Sequence, residues 1–550
     1  TLNKFFNISQ FYTLDISNKL DEVIGGAQDI GTVFIGGNSS NLSNGSDIWN
    51  FGSDLFPEGS DGGYSAFSNI RKYETNIGVT PPPIFYSKSP LPNDPVLDLR
   101  MRRSNSMAFD YSSTFLKDGM SNDNFLTPMA LWESFSNENS RDSVDFIARQ
   151  KYVAGDNIIV RSDTNAYNYP FDYTLTAEDL NNEDTLWIGD TVRVKDINST
   201  RLFLATKEKI WMTKEALNFA KQPEWFLISD DDNSGFIDNP QCIAYTADAN
   251  YLFVGTQEGN LYRISNLALA YDFQRADVTS PNCIVATDII EFVEGGNNQV
   301  ITSISVDPLD GNKVLMTLGN YGNSQYVYYS SNALSENPDF SSVQGNLPPM
   351  PVYSSLLEMA EGDKAIIGTD QGIWVSEDIA NSVWVQDGSE LGSIPVMALK
   401  QQQTFKNSFT VTIYDPVTND PFHEIYEGIE NTGVIYAATY GRGIFRAGEA
   451  LVGIDDHEEF VEAPVNSLLD IYPNPVVNSA NIKIYLNESS DVHVMIFDMN
   501  GRIVQSVNKN NMKKGENSIQ VNVSDLKKGT YIVKLVAGKT VGTSKFVIAK

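Results

Sequence analysis

Leu202-Phe-Leu-Ala-Thr-Lys-Glu-Lys-Ile-Trp-Met-Thr213 holds two apolar runs around a short polar turn, and the same pattern recurs along the chain. It returns as Leu252-Phe-Val-Gly-Thr-Gln-Glu-Gly-Asn-Leu-Tyr-Arg-Ile-Ser265 and as Ala365-Ile-Ile-Gly-Thr-Asp-Gln-Gly-Ile-Trp-Val-Ser376. A fourth copy is Val434-Ile-Tyr-Ala-Ala-Thr-Tyr-Gly-Arg-Gly-Ile-Phe445; Val314–Ser330 is looser and Val23–Ile35 is Gly-rich. Each copy reads as a β-hairpin, because β-prone runs are joined by Gly or polar residues. None sustains a 3.6-residue period, which rules out helices. The clear copies and the looser one begin about 50–70 residues apart, the length of a four-stranded propeller blade with generous loops. The recurring Ala or Thr suits inner strands crowded around a narrow axis. Asn157–Ser162 and Thr185–Val194 read as further strands. The expectation is an all-β chain with a β-propeller over residues 1–447, of about seven blades, six or eight also fitting.

Composition narrows the chemistry. Among 550 residues there are 39 Lys plus Arg and 70 Asp plus Glu, a formal net charge of −31. A chain this acidic does not suit nucleic-acid binding, which needs clustered cations. The only histidines are His423, His457 and His493, and the only cysteines Cys242 and Cys283, so a multi-ligand zinc centre is nearly excluded. A nucleophile activated by histidine could use only His423, and most remaining acid–base chemistry would run on carboxylates. Cys242 and Cys283 follow similar turns and suit either one disulfide or two buried thiols. No apolar run approaches the roughly 18–20 residues of a membrane helix.

The last 83 residues differ from the rest. Residues 468–550 carry 11 Lys plus Arg against 6 Asp plus Glu, about +5, which leaves about −36 on the remainder. Residues 448–467 are acidic, without Lys or Arg, and read as an exposed linker. Beyond them come Ala480–Leu486, Val492–Asp498, Ile503–Asn508, Ser518–Val523, Tyr531–Val536 and Ser544–Ile548, short alternating runs separated by turns. About seven short strands in roughly 80 residues point to a small Ig-like β-sandwich. Ile471-Tyr-Pro-Asn-Pro475, Phe497-Asp-Met-Asn-Gly-Arg502, Leu526-Lys-Lys-Gly-Thr-Tyr531 and Lys545-Phe-Val-Ile-Ala-Lys550 closely resemble the motifs of the type A sorting domain of type IX secretion. The matching positions are Pro473, Asn474, Pro475, Gly501, Gly529, Tyr531, Lys545 and Phe546. That resemblance implies secretion across the outer membrane to the cell surface or beyond. It also implies a shuttle protein, translocon and surface sortase as partners of residues 468–550, with cleavage in the acidic linker. Asp142-Ser143-Val144, Asp184-Thr185-Leu186 and Asp190-Thr191-Val192 resemble the O-glycosylation sequon of the same bacteria, the Bacteroidota.

The propeller has its own resemblance. Ser376-Glu-Asp378 with Trp384, and more loosely Thr213 with Trp225, resemble Asp-boxes of sialidase-like and sortilin-type propellers, with Ala380 where Gly is usual. Ile24-Gly-Gly-Ala-Gln-Asp-Ile-Gly-Thr32, Trp49 and Gly59-Ser-Asp-Gly-Gly-Tyr64 look like a segment of large sortilin-type propellers from Bacteroidota, with Ile30 in place of Asn and Ser60 in place of Gly. In that family an earlier propeller half precedes the segment, so the start at Thr1 without Met implies a processed chain or the C-terminal part of a longer one.

Two sites are candidates. Asp230-Asp-Asp-Asn-Ser-Gly-Phe-Ile-Asp238 spaces oxygens at Asp230, Asp232, Ser234 and Asp238 like the start of a calcium loop, although Gln241 stands where a bidentate Glu belongs. A solvated acidic turn reads equally well. Asp29 and Asp61, in Gly-rich turns, could be the acid and base of a tandem-propeller glycoside hydrolase, or could simply cap their turns. The primary expectation is a surface or secreted binding protein with an unknown protein or glycan ligand and no cofactor beyond calcium; the glycosidase is the alternative.

Overall fold

The computed structural model describes residues 10–35, 48–50, 61–74, 78–80, 83–88, 98–102, 120, 124–149, 151–163, 165–166, 168–180, 184–218, 222–272, 285–293, 298–360, 362–387, 391–414, 421–448, 469–486, 489–498, 502–537 and 540–549. The acidic linker therefore lies outside them, apart from Gly448. Among the described residues, seven antiparallel sheets of three or four strands follow one another along the chain. Their first strands are Asp15–Ile16, Gly62–Phe67, Met129–Ser134, Pro240–Tyr245, Ile301–Val306, Val352–Leu357 and Val396–Gln401. The sequence repeats supply the second and third strands. Leu202 pairs with Thr213, Leu252 with Ile264, Ala365 with Ser376 and Ile435 with Ala447.

Hydrogen bonds carry each first strand to the next. Phe67 N donates to Asp15 Oδ2 (2.5 Å), and Ser68 Oγ and Asn69 N donate to the Glu133 carboxylate (2.5 and 2.7 Å). Tyr245 Oη donates to the Leu131 carbonyl (2.9 Å), and Cys242 Sγ to that of Ile301 (3.5 Å). Leu357 N donates to Ser305 Oγ (2.9 Å), and Ser354 Oγ to the Val396 carbonyl (3.2 Å). The seventh sheet then meets the first: Lys400 Nζ lies 2.8 Å from Asp15 Oδ1, and Phe11 N donates to the Thr439 carbonyl (3.2 Å). The circuit closes on itself, which is the defining geometry of a β-propeller.

The recurrent threonine has a different role from the one expected. It ends the second strand of a sheet, not the innermost one, and its hydroxyl closes the following turn. Thr369 Oγ1 donates to the Gly372 carbonyl (2.8 Å) and accepts from Gln371 N (3.0 Å). Thr439 repeats this with Gly443 (2.7 Å) and Arg442 (3.1 Å), and Thr256 accepts from Asn260 N (3.0 Å). Thr is retained because a buried turn needs its backbone groups satisfied, and a short β-branched hydroxyl does this without leaving the strand.

Among the described residues, two excursions leave the ring. Between Met129–Ser134 and Ser199–Thr206 lies a lobe of two antiparallel strand pairs, Ser143–Ile147 with Thr191–Lys195 and, between them in sequence, the hairpin Asn157–Arg161 with Pro170–Thr174, packed on Ile158, Val160, Phe171, Val192 and Val194. A four-stranded sheet joins Phe409–Tyr414 and Pro421–Tyr426 from the seventh sheet to Lys72–Glu74 and Gly78–Thr80 from the second. Glu424 sits where these meet: Lys72 Nζ (2.9 Å) and Arg161 (2.7 Å) both bind its carboxylate.

The C-terminal residues form two facing sheets. Leu469–Tyr472, Ser479–Leu486 and Gly515–Asn522 make the smaller; Ile503–Met512, Ser490–Asp498, Gly529–Ala537 and Thr540–Ile548 make the larger. Ile482, Ile484, Ile519, Val492, Val494, Ile496 and Val533 fill the space between them. Leu469–Tyr472 is a strand that the alternation of its sequence did not announce.

Candidate functional site

The structure brings Asp29 and Asp61 together through the backbone: Asp61 Oδ1 accepts from Asp29 N at 2.5 Å. Asp29 has φ 57°, in the left-handed region. Aromatic rings lie close by. Tyr12 meets Phe125 edge-on at 5.7 Å and Tyr440 at 6.2 Å, and its hydroxyl is pushed up to about 12 by burial and by the charge of Asp61. A carboxylate committed to a turn amide is a cap first.

The calcium-loop residues go separate ways. Residues Asp231–Ser234 form one helical turn, in which Ser234 Oγ donates to the Asp230 carbonyl (2.6 Å). The Asp238 carboxylate accepts instead from Asn260 Nδ2 (2.6 Å) and Tyr262 Oη (2.9 Å). Among the described residues no three His, Cys, Asp or Glu side chains converge as a metal site. Cys242 is a buried free thiol pushed up to about 12 by desolvation; Cys283 lies outside the described residues. Ser143, Thr185 and Thr191 all fall in the inserted lobe, with Ser143 and Thr191 exposed. In the Ser376–Trp384 turn, Asp378 Oδ1 accepts from Ala380 N (3.0 Å), and Trp384 is buried with its Nε1 donating to the Val343 carbonyl (2.8 Å).

At the C-terminus the quoted motifs converge. Asn474 Oδ1 accepts from Val547 N (2.9 Å), and its Nδ2 donates to the Lys545 carbonyl (3.2 Å). Val476 then exchanges backbone bonds with Val547 and Ala549 (2.7 and 2.9 Å), stitching the Pro473–Pro475 turn to the last strand. Tyr531 stacks on Phe546 at 5.7 Å, and its hydroxyl donates to the Lys527 carbonyl (2.9 Å). Gly529 opens the Tyr531 strand, whereas Gly501 lies outside the described residues. On either side of it, Asp498 and Arg502 pair both by backbone (2.9 Å) and by side chain (3.0 Å).

Residues 470–549 match the family model of the secretion system C-terminal sorting domain. The sorting domain indicates export by type IX secretion, across the outer membrane to the cell surface or extracellular space. No curated protein matches the chain. Among solved structures, PorZ, a surface component of the type-IX secretion system of Porphyromonas gingivalis, is similar at 12% identity and a TM-score of 0.34, over 96% of this chain and 74% of that one. The Neurospora crassa Pan2 WD40 domain aligns at 8% identity and a TM-score of 0.35, over 77% of this chain and 90% of that one. The Myceliophteria thermophila Cps50 (Swd1) β-propeller domain gives 7% and 0.36, over 77% and 98%.

The sorting domain also reaches the propeller. At the C-terminal ends of the first strands lies a cavity of about 360 Å³, lined by Asp15, Glu133, Lys400 and Gln402 and, from the sorting domain, by Arg502, Ile503 and Lys527. Burial pushes the Glu133 carboxyl up, against hydrogen bonds from Ser68 and Asn69. Beside it, burial pushes the Lys406 ammonium down to about 7, and the rings of Phe135 and Tyr169 lie 4.5 and 4.7 Å from its Nζ. Sequence reasoning missed this end of the propeller. Its one local signal was Gln401-Gln402-Gln403, a polar run directly after an apolar strand.

Proposed function

We propose that the chain is a cell-surface or secreted binding protein: a seven-bladed, sortilin-type propeller that presents its faces to a protein or glycan ligand, addressed by residues 468–550. The observation that carries this reading is the sorting-domain match over the segment where Asn474, Tyr531, Lys545 and Phe546 come together. The commitment of Asp61 to the Asp29 amide supports a binding role over hydrolysis. An Ig-like sandwich is supported by the Tyr531 bond to Lys527, which has the form of a tyrosine corner. Residues 1–447 would be cargo, 448–467 linker and cleavage region, and the shuttle, translocon and sortase the partners of the sorting domain. Ser143, Thr185 and Thr191 would carry glycans on the inserted lobe.

Two experiments test the proposal. Deleting residues from Leu468 onward should trap the protein in the periplasm, and undiminished surface display would refute the address. A glycan-array screen with product analysis should show binding without turnover. Turnover lost in the Asp29→Asn/Asp61→Asn double variant would restore the glycosidase.

A further inference from the structure

The strand Ser490–Asp498 buries apolar side chains on both sides over its second half. Val492, Val494 and Ile496 point into the sandwich, but Met495 and Phe497, on alternate positions, are also only 2% exposed. The outer face of an antiparallel sheet is commonly solvated, and a near-continuous apolar run marks a strand covered on both faces. Here the cover is the propeller. Met495, Phe497 and Ile503 pack with Met359 and Phe405, and the Phe405 and Phe497 rings lie 5.1 Å apart. Ser506 Oγ donates to the Ala360 carbonyl at 2.6 Å. Lys534, opposite Met495 on the next strand, is 3% exposed. Arg502 and Lys527, which belong to two of the sorting motifs, face the axial cavity.

We propose that the outer face of the larger sorting-domain sheet is a docking surface for the mouth of this chain's own propeller, and that docking covers Phe497, the first residue of one sorting motif, until the two domains separate. The inference rests on the sorting reading for what the motif does, and on the Phe405–Phe497 contact for its being covered. Met495, Phe497 and Ile503 form an apolar patch on that face, and Met359 and Phe405 supply a matching patch within the same chain. The secretion machinery then reads an undocked sorting domain, and docking follows or opposes export.

The test uses the full chain. Hydrogen exchange over residues 493–498 and 503–506 should be slow in the wild type and at least tenfold faster in Phe405→Asp, which leaves the sorting domain's own sequence intact. Residues 479–486 should stay protected in both, showing that the sandwich remains folded. An Ala360→Cys/Ser506→Cys pair should lock the domains by a disulfide in the oxidising periplasm and hold the chain there, while either single cysteine permits surface display. Unchanged exchange in Phe405→Asp, or normal display of the locked chain, overturns the proposal. Deletion from Leu468 reports separately on sorting, so failure of docking and failure of the address are told apart.

Discussion

Asp61 Oδ1 holds the backbone N–H of Asp29 at 2.5 Å, and Asp29 itself occupies a positive φ of 57°. Of the two residues most suggestive of catalysis in the sequence, one thus caps the turn of the other from the neighbouring sheet. Asp61→Ala should cost about 1 kcal/mol, as loss of a capping carboxylate does. Asp29→Gly should be neutral or slightly stabilising because Gly accepts that φ without strain. Urea unfolding of both variants checks the pair, and equal destabilisation by the two would contradict it.

Asn346 brackets Trp384 from 38 positions away: its Oδ1 accepts from Trp384 N (2.6 Å) and its Nδ2 donates to Trp384 O (2.8 Å). Trp384→Ala should cost about 3–5 kcal/mol as a buried aromatic is deleted. Asn346→Ala should cost about 1–3 kcal/mol, the penalty of stranding buried backbone groups. The two costs should be separable, because both Asn346 bonds go to the main chain of residue 384, which Trp384→Ala keeps. Thermal unfolding decides.

At Glu424, burial works to raise the carboxyl, but hydrogen bonds and charges from Lys72 and Arg161 outweigh it and hold the group below its ordinary range. A depressed carboxyl stabilises the fold above its unfolded value, and that contribution fades as pH falls through the folded one. Glu424→Gln should therefore be destabilising at pH 7, by about 1–3 kcal/mol. The difference from wild type should close below about pH 4. A constant difference from pH 7 to pH 3 would remove the ion pairs from the explanation.

Lys534 carries the opposite sign. Burial lowers its ammonium from 10.5 to about 8, so between those values the unfolded chain binds the extra proton and stability rises with pH. The penalty is complete below about pH 8. Lys534→Met should accordingly stabilise the full chain most at pH 6–7, on the order of 2 kcal/mol. The gain should vanish towards pH 10.5. Denaturation curves across that range make the comparison.

Cys242 should resist thiol reagents in the native protein, since the thiolate is the reactive form and burial pushes the thiol up to about 12. Peptide mapping after iodoacetamide treatment should find it unlabelled without denaturant and labelled with it. Rapid native labelling would place the residue at the surface.

The sheets were legible where the chain repeats itself. Leu252–Ser265 and Ala365–Ser376 each fold as the hairpin that their alternating runs and Gly turns demand. The role of Thr369 or Thr439 was not legible, because a hydroxyl that closes a turn and a small residue that fits a crowded axis leave the same letter in the sequence. Asp238 shows the same ambiguity. Its spacing from Asp230 suits a cation, but the partners that take its carboxylate, Asn260 and Tyr262, come from a neighbouring hairpin that loop spacing cannot see. The motifs of the sorting domain were readable because they are local. The cover over Met495 and Phe497 was not legible, because His493 on the same side keeps the run Val492–Phe497 reading as an ordinary alternating strand.

The seam between the first and seventh sheets has a consequence for how a chain is judged finished. Asp15 waits for Lys400, and Phe11 for Thr439, so the ring cannot shut until nearly all of the cargo has been made, and such distant pairings form slowly. The address is encoded downstream of the closing strand. A chain cut short before Thr439 carries no label at all, so the order of the sequence alone keeps an unclosable ring from being posted.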